Sequence, residues 1–332
     1  MPIDYITVDG INHINAELSN YCNAACPMCA RFDTSQNLIK SVTNNSHTTL
    51  DDIQNKIGPK VIKNLKTFRS CGNVGDGTMN PECAEIYRYV RRLNKETFVS
   101  INTNGGARNP DFFRQLADIG VTVVFSIDGL EDTNHLYRRN VQWKKLMENV
   151  KAFIKSGGRA TWDYLIFKHN QHQVDDAQKM ASELGFIGFN KKTTARWDDF
   201  DKEGNWMQRD SIEVDGYKLE KPKQEILHDK QLVNFLKEQS KEKKVACRSF
   251  LDSNVEIFLH ANGDVSPCCW LGDLHLHESK NIIDDYGTVN IHHSSLEEIL
   301  ESKYFMEIWK GIQGKEQAYR LQTCQQVCGI ND

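Results

Sequence analysis

Short apolar runs alternate with amphipathic stretches from residue 12 to about residue 195, and this alternation limits the possible folds more than any other feature. Strands are predicted over 12–18, 66–70, 97–102, 121–127 and 160–167, and from 186. The run Val121-Thr122-Val123-Val124-Phe125-Ser126-Ile127 is almost all β-branched or aromatic, as in a strand buried on both faces. Between these runs lie helical patterns. One opens at Asn109-Pro110, carries Phe112, Phe113, Leu116 and Ile119 on one stripe, and stops at Gly120. Another carries Leu146, Val150, Phe153 and Ile154, and a third runs from Val174 to Leu184 before Gly185. Alternation of this kind specifies a parallel α/β array, with the site at the carboxyl ends of the strands. It supplies about six units, fewer than the eight of a closed barrel, so an open doubly wound sheet and a curved partial barrel both fit.

Composition narrows the class. The 332 residues carry a formal net charge of −4 and are 39% hydrophobic, enough for one large domain and a small appendage. No basic stripe suggests nucleic acid. No apolar run approaches the ~20 residues of a membrane helix, and the start lacks a signal-peptide pattern. The ten cysteines therefore point to a reducing cytoplasm, where clustered thiols favour metal over disulfides.

Three of those thiols form a C-x3-C-x2-C run, Cys22-Asn23-Ala24-Ala25-Cys26-Pro27-Met28-Cys29, directly after the first strand. Three thiolates hold three irons of a cubane and leave the fourth open to a ligand. A zinc site usually pairs two-cysteine knuckles instead. The run resembles the cluster loop of the radical S-adenosylmethionine (radical SAM) enzymes, and the resemblance covers roughly residues 12–195. It selects the partial (β/α)6 barrel. It also implies a catalytic 4Fe–4S cluster on Cys22, Cys26 and Cys29 that cleaves SAM to a 5′-deoxyadenosyl radical, which abstracts hydrogen from a substrate.

The same resemblance assigns the loops after the strands. Gly75 and Asp76 occupy the segment that holds the SAM amino group, with Asp76 where glutamate is usual and Gly77 where proline is usual. An ordinary Gly/Asn turn is the plain alternative. Ser100, Asn102 and Asn104 match the ribose-side strand end, and Ser126 and Asp128 a segment beside the ribose; Asp128 would otherwise cap a helix. Arg138 or Arg139 would pair with the SAM carboxylate, and Phe167 would line the adenine pocket.

Residues 201–245 are rich in Lys, Glu, Asp and Gln and read as a linker with one helix near 230–243. This divides the chain into a barrel over 1–200, the linker, and a small α+β domain over 246–332. In that last part a hairpin through Asn262-Gly263 brings Cys268 back toward Cys247, and a helix from about 295 to 311 precedes Cys324 and Cys328. The spacing from Cys247 through Gly263 to Cys268 resembles the SPASM and shorter twitch extensions, which implies one auxiliary 4Fe–4S cluster on Cys247, Cys268, Cys324 and Cys328. The closing C-x3-C departs from the commoner spacing. Strand alternation sends Cys269 to the opposite face from Cys268, and Cys71 and Cys83 read as structural. The family further implies net oxidation of a peptide or small molecule, and an electron donor such as flavodoxin or ferredoxin. A non-catalytic zinc or iron–sulfur interaction protein on the same fold is the alternative from another class.

Overall fold

The computed structural model describes residues 6–32, 37–39, 42–194, 196–200, 206–223, 244–250, 254–272, 281–314 and 321–330. In chain order, β1 (His13–Ala16), α1 (Gly58–Asn64), β2 (Thr67–Ser70), α2 (Cys83–Leu93), β3 (Phe98–Thr103), α3 (Pro110–Ile119) and β4 (Thr122–Ser126) come first. The short α4 (Asn134–Tyr137), then α5 (Trp143–Lys155), β5 (Ala160–Leu165), α6 (Val174–Leu184) and β6 (Gly188–Lys192) complete the alternation. Next come strands β7 (Asp198–Phe200), β8 (Trp206–Gln208), β9 (Ser211–Val214), β10 (Tyr217–Glu220) and β11 (Lys244–Val245). The hairpin of β12 (Glu256–Leu259) and β13 (Val265–Ser266) precedes α7 (Leu296–Leu300), α8 (Lys303–Ile312), α9 (Gln322–Cys328) and β14 (Gly329–Ile330).

Local chemistry sets many of these ends. Asn109 Oδ1 accepts from Phe112 N at 3.0 Å to start α3, and Gly120 ends it at a φ of 81°. The predicted strand at 186 begins two residues late. Phe186 N donates to Ala181 O at 3.0 Å, closing the α6 cap, so pairing with β5 starts only at Ile187, whose N donates to Ala160 O at 2.8 Å. The helix expected over 295–311 is two helices, because Ser302 caps a new one at Phe305 N.

By packing, the chain forms two compact units: Met1–Tyr21, Lys40–Ser100 and Glu238–Asp332, and Cys22–Ile39 with Ile101–Lys237. In the first, β12 pairs in parallel with β1, His13 opposite Glu256, and β1 pairs in parallel with β2. The expected β12–β13 hairpin forms, with Phe258 opposite Ser266 and Gly263 at a φ of 91°. It is stitched into the sheet through β12, across the boundary that motif spacing drew at residue 246. In the second unit β4, β5 and β6 run in parallel, and the apolar faces of Phe113, Phe125, Phe153 and Trp162 form its fully buried core.

The segment read as a linker contains strands β8 to β11, and β7 lies just before it. β7 pairs with β8, and β9 with β10 through Asp215-Gly216, whose φ values of 51° and 73° fit a two-residue type I′ turn. The helix expected at 230–243 lies outside the described residues.

Candidate iron–sulfur centres

In the second unit the cysteine run is a tight loop. Cys29 N donates to Cys26 O at 3.0 Å, and Ala25 N to Arg139 O at 3.1 Å. Two arginines brace it: Arg31 Nη1 donates to Cys22 O at 3.1 Å and Arg196 Nη1 to Met28 O at 2.8 Å. Three N–H donors then reach the sulfurs. Ala24 N lies 3.4 Å and Asn104 Nδ2 3.5 Å from Cys22 Sγ, and Arg138 Nη1 lies 3.7 Å from Cys26 Sγ. Cys26 is buried, and burial pushes its thiol up to about 11 against the opposing charge of Arg138. Donors aimed at sulfur are what an anionic thiolate cluster requires of its surroundings, so this loop fits the group expected of it.

The other expected residues of this unit have definite partners. Asp128 is fully buried and does not stand open to a ribose: Oδ2 accepts from Arg138 Nε at 2.6 Å and Oδ1 from Leu165 N at 2.7 Å. Asn104 Oδ1 accepts from Gly106 N while its Nδ2 reaches Asn23 Oδ1 and Cys22. Ser126 ends β4 and Asn102 lies on β3, both half-buried. Phe167 is fully buried, 4.5 Å from the Tyr137 ring and stacked 5.5 Å from His169. Arg139 turns away to Asp215 Oδ2 at 2.6 Å and Val214 O at 2.8 Å.

In the first unit, Asp76 caps a short turn, its Oδ1 accepting from Thr78 N at 3.0 Å and Thr78 Oγ1 at 2.7 Å. A side chain on Gly75 would place Cβ 1.7 Å from Ser19 O, so only glycine fits there. The organising acid is Glu17, which motif spacing does not single out. Almost fully buried, it accepts from Val74 N at 2.7 Å and Gly75 N at 3.0 Å. Ser100 is buried on β3, its carbonyl accepting from Tyr87 OH.

The C-terminal cysteines also lie in the first unit, where Cys247, Cys268, Cys324 and Cys328 line one cavity of about 320 Å³. Three local structures bring them there. The β11–β14 pairing, with Ala246 N donating to Cys328 O at 2.8 Å, sets Cys247 beside Cys328. The hairpin returns Cys268. Helix α9 carries Cys324 and Cys328 one turn apart on one face, which accounts for the C-x3-C spacing. Burial pushes the Cys247 and Cys268 thiols up to about 12. Among the described residues no three His, Cys, Asp or Glu side chains converge on the point of a single metal ion. Four thiols around one cavity are a donor set that fits a cubane, with one thiolate per iron. Cys269 borders the same cavity, but its thiol is hydrogen-bonded with Cys71.

The profile of the radical SAM superfamily matches residues 16–181. The chain belongs to the radical SAM superfamily. An iron–sulfur cluster-binding SPASM domain profile matches residues 253–329. Its cofactors are accordingly a 4Fe–4S cluster, S-adenosylmethionine and an auxiliary iron–sulfur cluster. No curated protein matches the chain. Among solved structures, Streptococcus suis SuiB bound to S-adenosylmethionine is similar at 15% identity and a TM-score of 0.58, over 91% of this chain and 68% of that one. The anSMEcpe protein with bound AdoMet is similar at 16% identity and a TM-score of 0.59, over 95% and 86%. SuiB bound to its precursor peptide SuiA is similar at 13% and 0.58, over 93% and 67%. The fold is that of these structures, a parallel-sheet α/β partial barrel, as the alternation and the cysteine run together predict.

Proposed function

We propose that this radical SAM enzyme reductively cleaves S-adenosylmethionine at a cluster on Cys22, Cys26 and Cys29, and oxidises a peptide with the help of an auxiliary cluster on Cys247, Cys268, Cys324 and Cys328. The convergence of three N–H donors on the Cys22 and Cys26 sulfurs carries the reading. With its cluster bound, such a site supplies one electron to the sulfonium of SAM, whose adenosyl fragment then takes a hydrogen atom from substrate. Arg31 and Arg196 hold the carbonyls of Cys22 and Met28, bracing the loop whose three cysteines would hold the cluster. Asn102 and Ser126, on strands of the same unit, are the proposed SAM contacts there; Gly75, Asp76 and Ser100 are candidates to be tested separately.

Four thiolates around one cavity would leave the auxiliary cluster fully ligated, which suits an electron acceptor in a net oxidation. A peptide is favoured as substrate because SuiB binds a precursor peptide and anSMEcpe was captured with a peptide. A flavodoxin or ferredoxin would supply the electron. The ten free cysteines suit a reducing cytoplasm. Among the described residues no helix is long and apolar enough to cross a membrane.

Anaerobic reconstitution tests the reading. About eight irons per chain are expected, with 5′-deoxyadenosine formed from SAM under dithionite. Bound zinc without iron, or full iron without SAM cleavage, would overturn it.

A further inference from the structure

The Arg138 guanidinium is held in place far more firmly than a chain-terminal cation on a surface loop would be. Its Nε donates to Asp128 Oδ2 at 2.6 Å, and its Cζ lies 5.5 Å from the Tyr137 ring centroid. Asp128 is itself fixed on every side. Its second oxygen accepts from Leu165 N at 2.7 Å, its own N–H donates to Asn134 Oδ1 at 2.9 Å, and its carbonyl accepts from Asn170 Nδ2 at 2.9 Å. The remaining reach of the guanidinium ends 3.7 Å from the Cys26 sulfur. Cys26 and Asp128 are both buried, so solvent screens this arrangement weakly.

We propose that the Asp128–Arg138 pair sets the reduction potential of the cluster on Cys22, Cys26 and Cys29, with Arg138 as a positioning residue acting through the Cys26 sulfur and Asp128 as its counter-charge. This rests on the cluster assignment made above. Adding an electron makes the cluster and its thiolates more negative. A fixed cation at one sulfur stabilises that state, and hydrogen bonds to cluster sulfurs are a main determinant of potential. Asp128 moderates the effect by placing a carboxylate 2.6 Å behind the cation. The family resemblance offers Asp128 to the ribose or to a helix cap, and either Arg138 or Arg139 to the SAM carboxylate; here Asp128 and Arg138 pair with each other, and Arg138 also reaches the cluster loop.

The two charges make opposite predictions, which a merely structural role does not. In the reconstituted full chain without SAM, a potentiometric titration would follow the EPR signal of the cluster that responds to SAM in a parallel sample. Arg138→Gln should lower the potential and Asp128→Asn should raise it. At a fixed poise each should change the reduced-to-oxidised ratio by about tenfold, equivalent to roughly 59 mV for one electron. Arg138→Lys keeps the charge and should stay near the parent, which guards against a folding defect in the glutamine variant. Shifts in the same direction, or no shift in variants carrying full iron, overturn the proposal and leave the cluster assignment standing. A parent chain that never shows a SAM-responsive signal overturns both.

Discussion

The Asn73 side chain donates from Nδ2 to the carbonyl oxygen of Cys269 at 2.8 Å, and its Oδ1 accepts from the Cys71 thiol at 3.2 Å. One asparagine thus ties the loop after β2 to the segment that carries two adjacent cysteines. The Cys269 thiol faces Cys71, and Cys268 lines one cavity with Cys247 and Cys328. Replacing Cys268 by alanine should therefore remove about half the iron while SAM cleavage persists and product formation stops. Replacing Cys269 should leave iron unchanged. Iron lost from the Cys269 variant and retained in the Cys268 variant would reverse the ligand assignment.

Replacing Cys22, Cys26 and Cys29 together by alanine should abolish 5′-deoxyadenosine formation and spare the auxiliary cluster. The two sets of thiols come from different compact units and share no described ligand. Mössbauer spectra of the triple variant should show the remaining 4Fe–4S signal alone. Continued SAM cleavage would refute the assignment.

Glu17 accepts two backbone N–H groups from a place water does not reach. Glu17→Ala would leave both without that acceptor, a loss on the order of 2–4 kcal/mol, while Glu17→Gln keeps one oxygen and should lose less. Urea unfolding of the three proteins measures this. An alanine variant within about 0.5 kcal/mol of the parent would mean the carboxylate does not hold the loop. Asp76→Ala should lose a cap, about 1 kcal/mol, and its effect on SAM affinity decides whether the carboxylate serves ligand as well as turn.

Burial of the His169 ring lowers its pKa from 6.5 to about 4, and among the described residues neither ring nitrogen has a hydrogen-bond partner. The unfolded chain therefore binds this proton more readily. Its contribution is complete above about 6.5, is lost as pH falls toward 4, and changes no further below that. The loss should be on the order of 1–2 kcal/mol after discounting for the ring's partial exposure. His169→Phe should flatten the stability profile across this window, and an unchanged slope would assign the acid sensitivity to other groups.

What could be read from sequence was what neighbouring residues decide. The C-x3-C-x2-C run, the Asn109 cap, the Asn262-Gly263 turn and the β-branched run to Ile127 each carry their structure within a few residues. The β9–β10 hairpin was equally legible, since Ile212, Val214, Tyr217 and Leu219 alternate around Asp215-Gly216, but the surrounding charge masked it. The Asp128–Arg138–Cys26 contact was not legible. Each residue has a plausible local role, and only the folding of β4, α4 and the cysteine loop together selects another. Glu17 was hidden for the same reason, because its partners are backbone groups far along the chain.

The pairing of β12 with β1 also bears on how the protein is made. His13 finds its neighbour at Glu256, so the strand leading into the cysteine run keeps one bare edge until most of the chain has left the ribosome. Such long-range pairings form slowly, and an uncovered edge invites pairing with another chain. Translation that stalls before β12 would release an aggregation-prone fragment, and cells producing this protein should depend on chaperone capacity until the last quarter of it is synthesised.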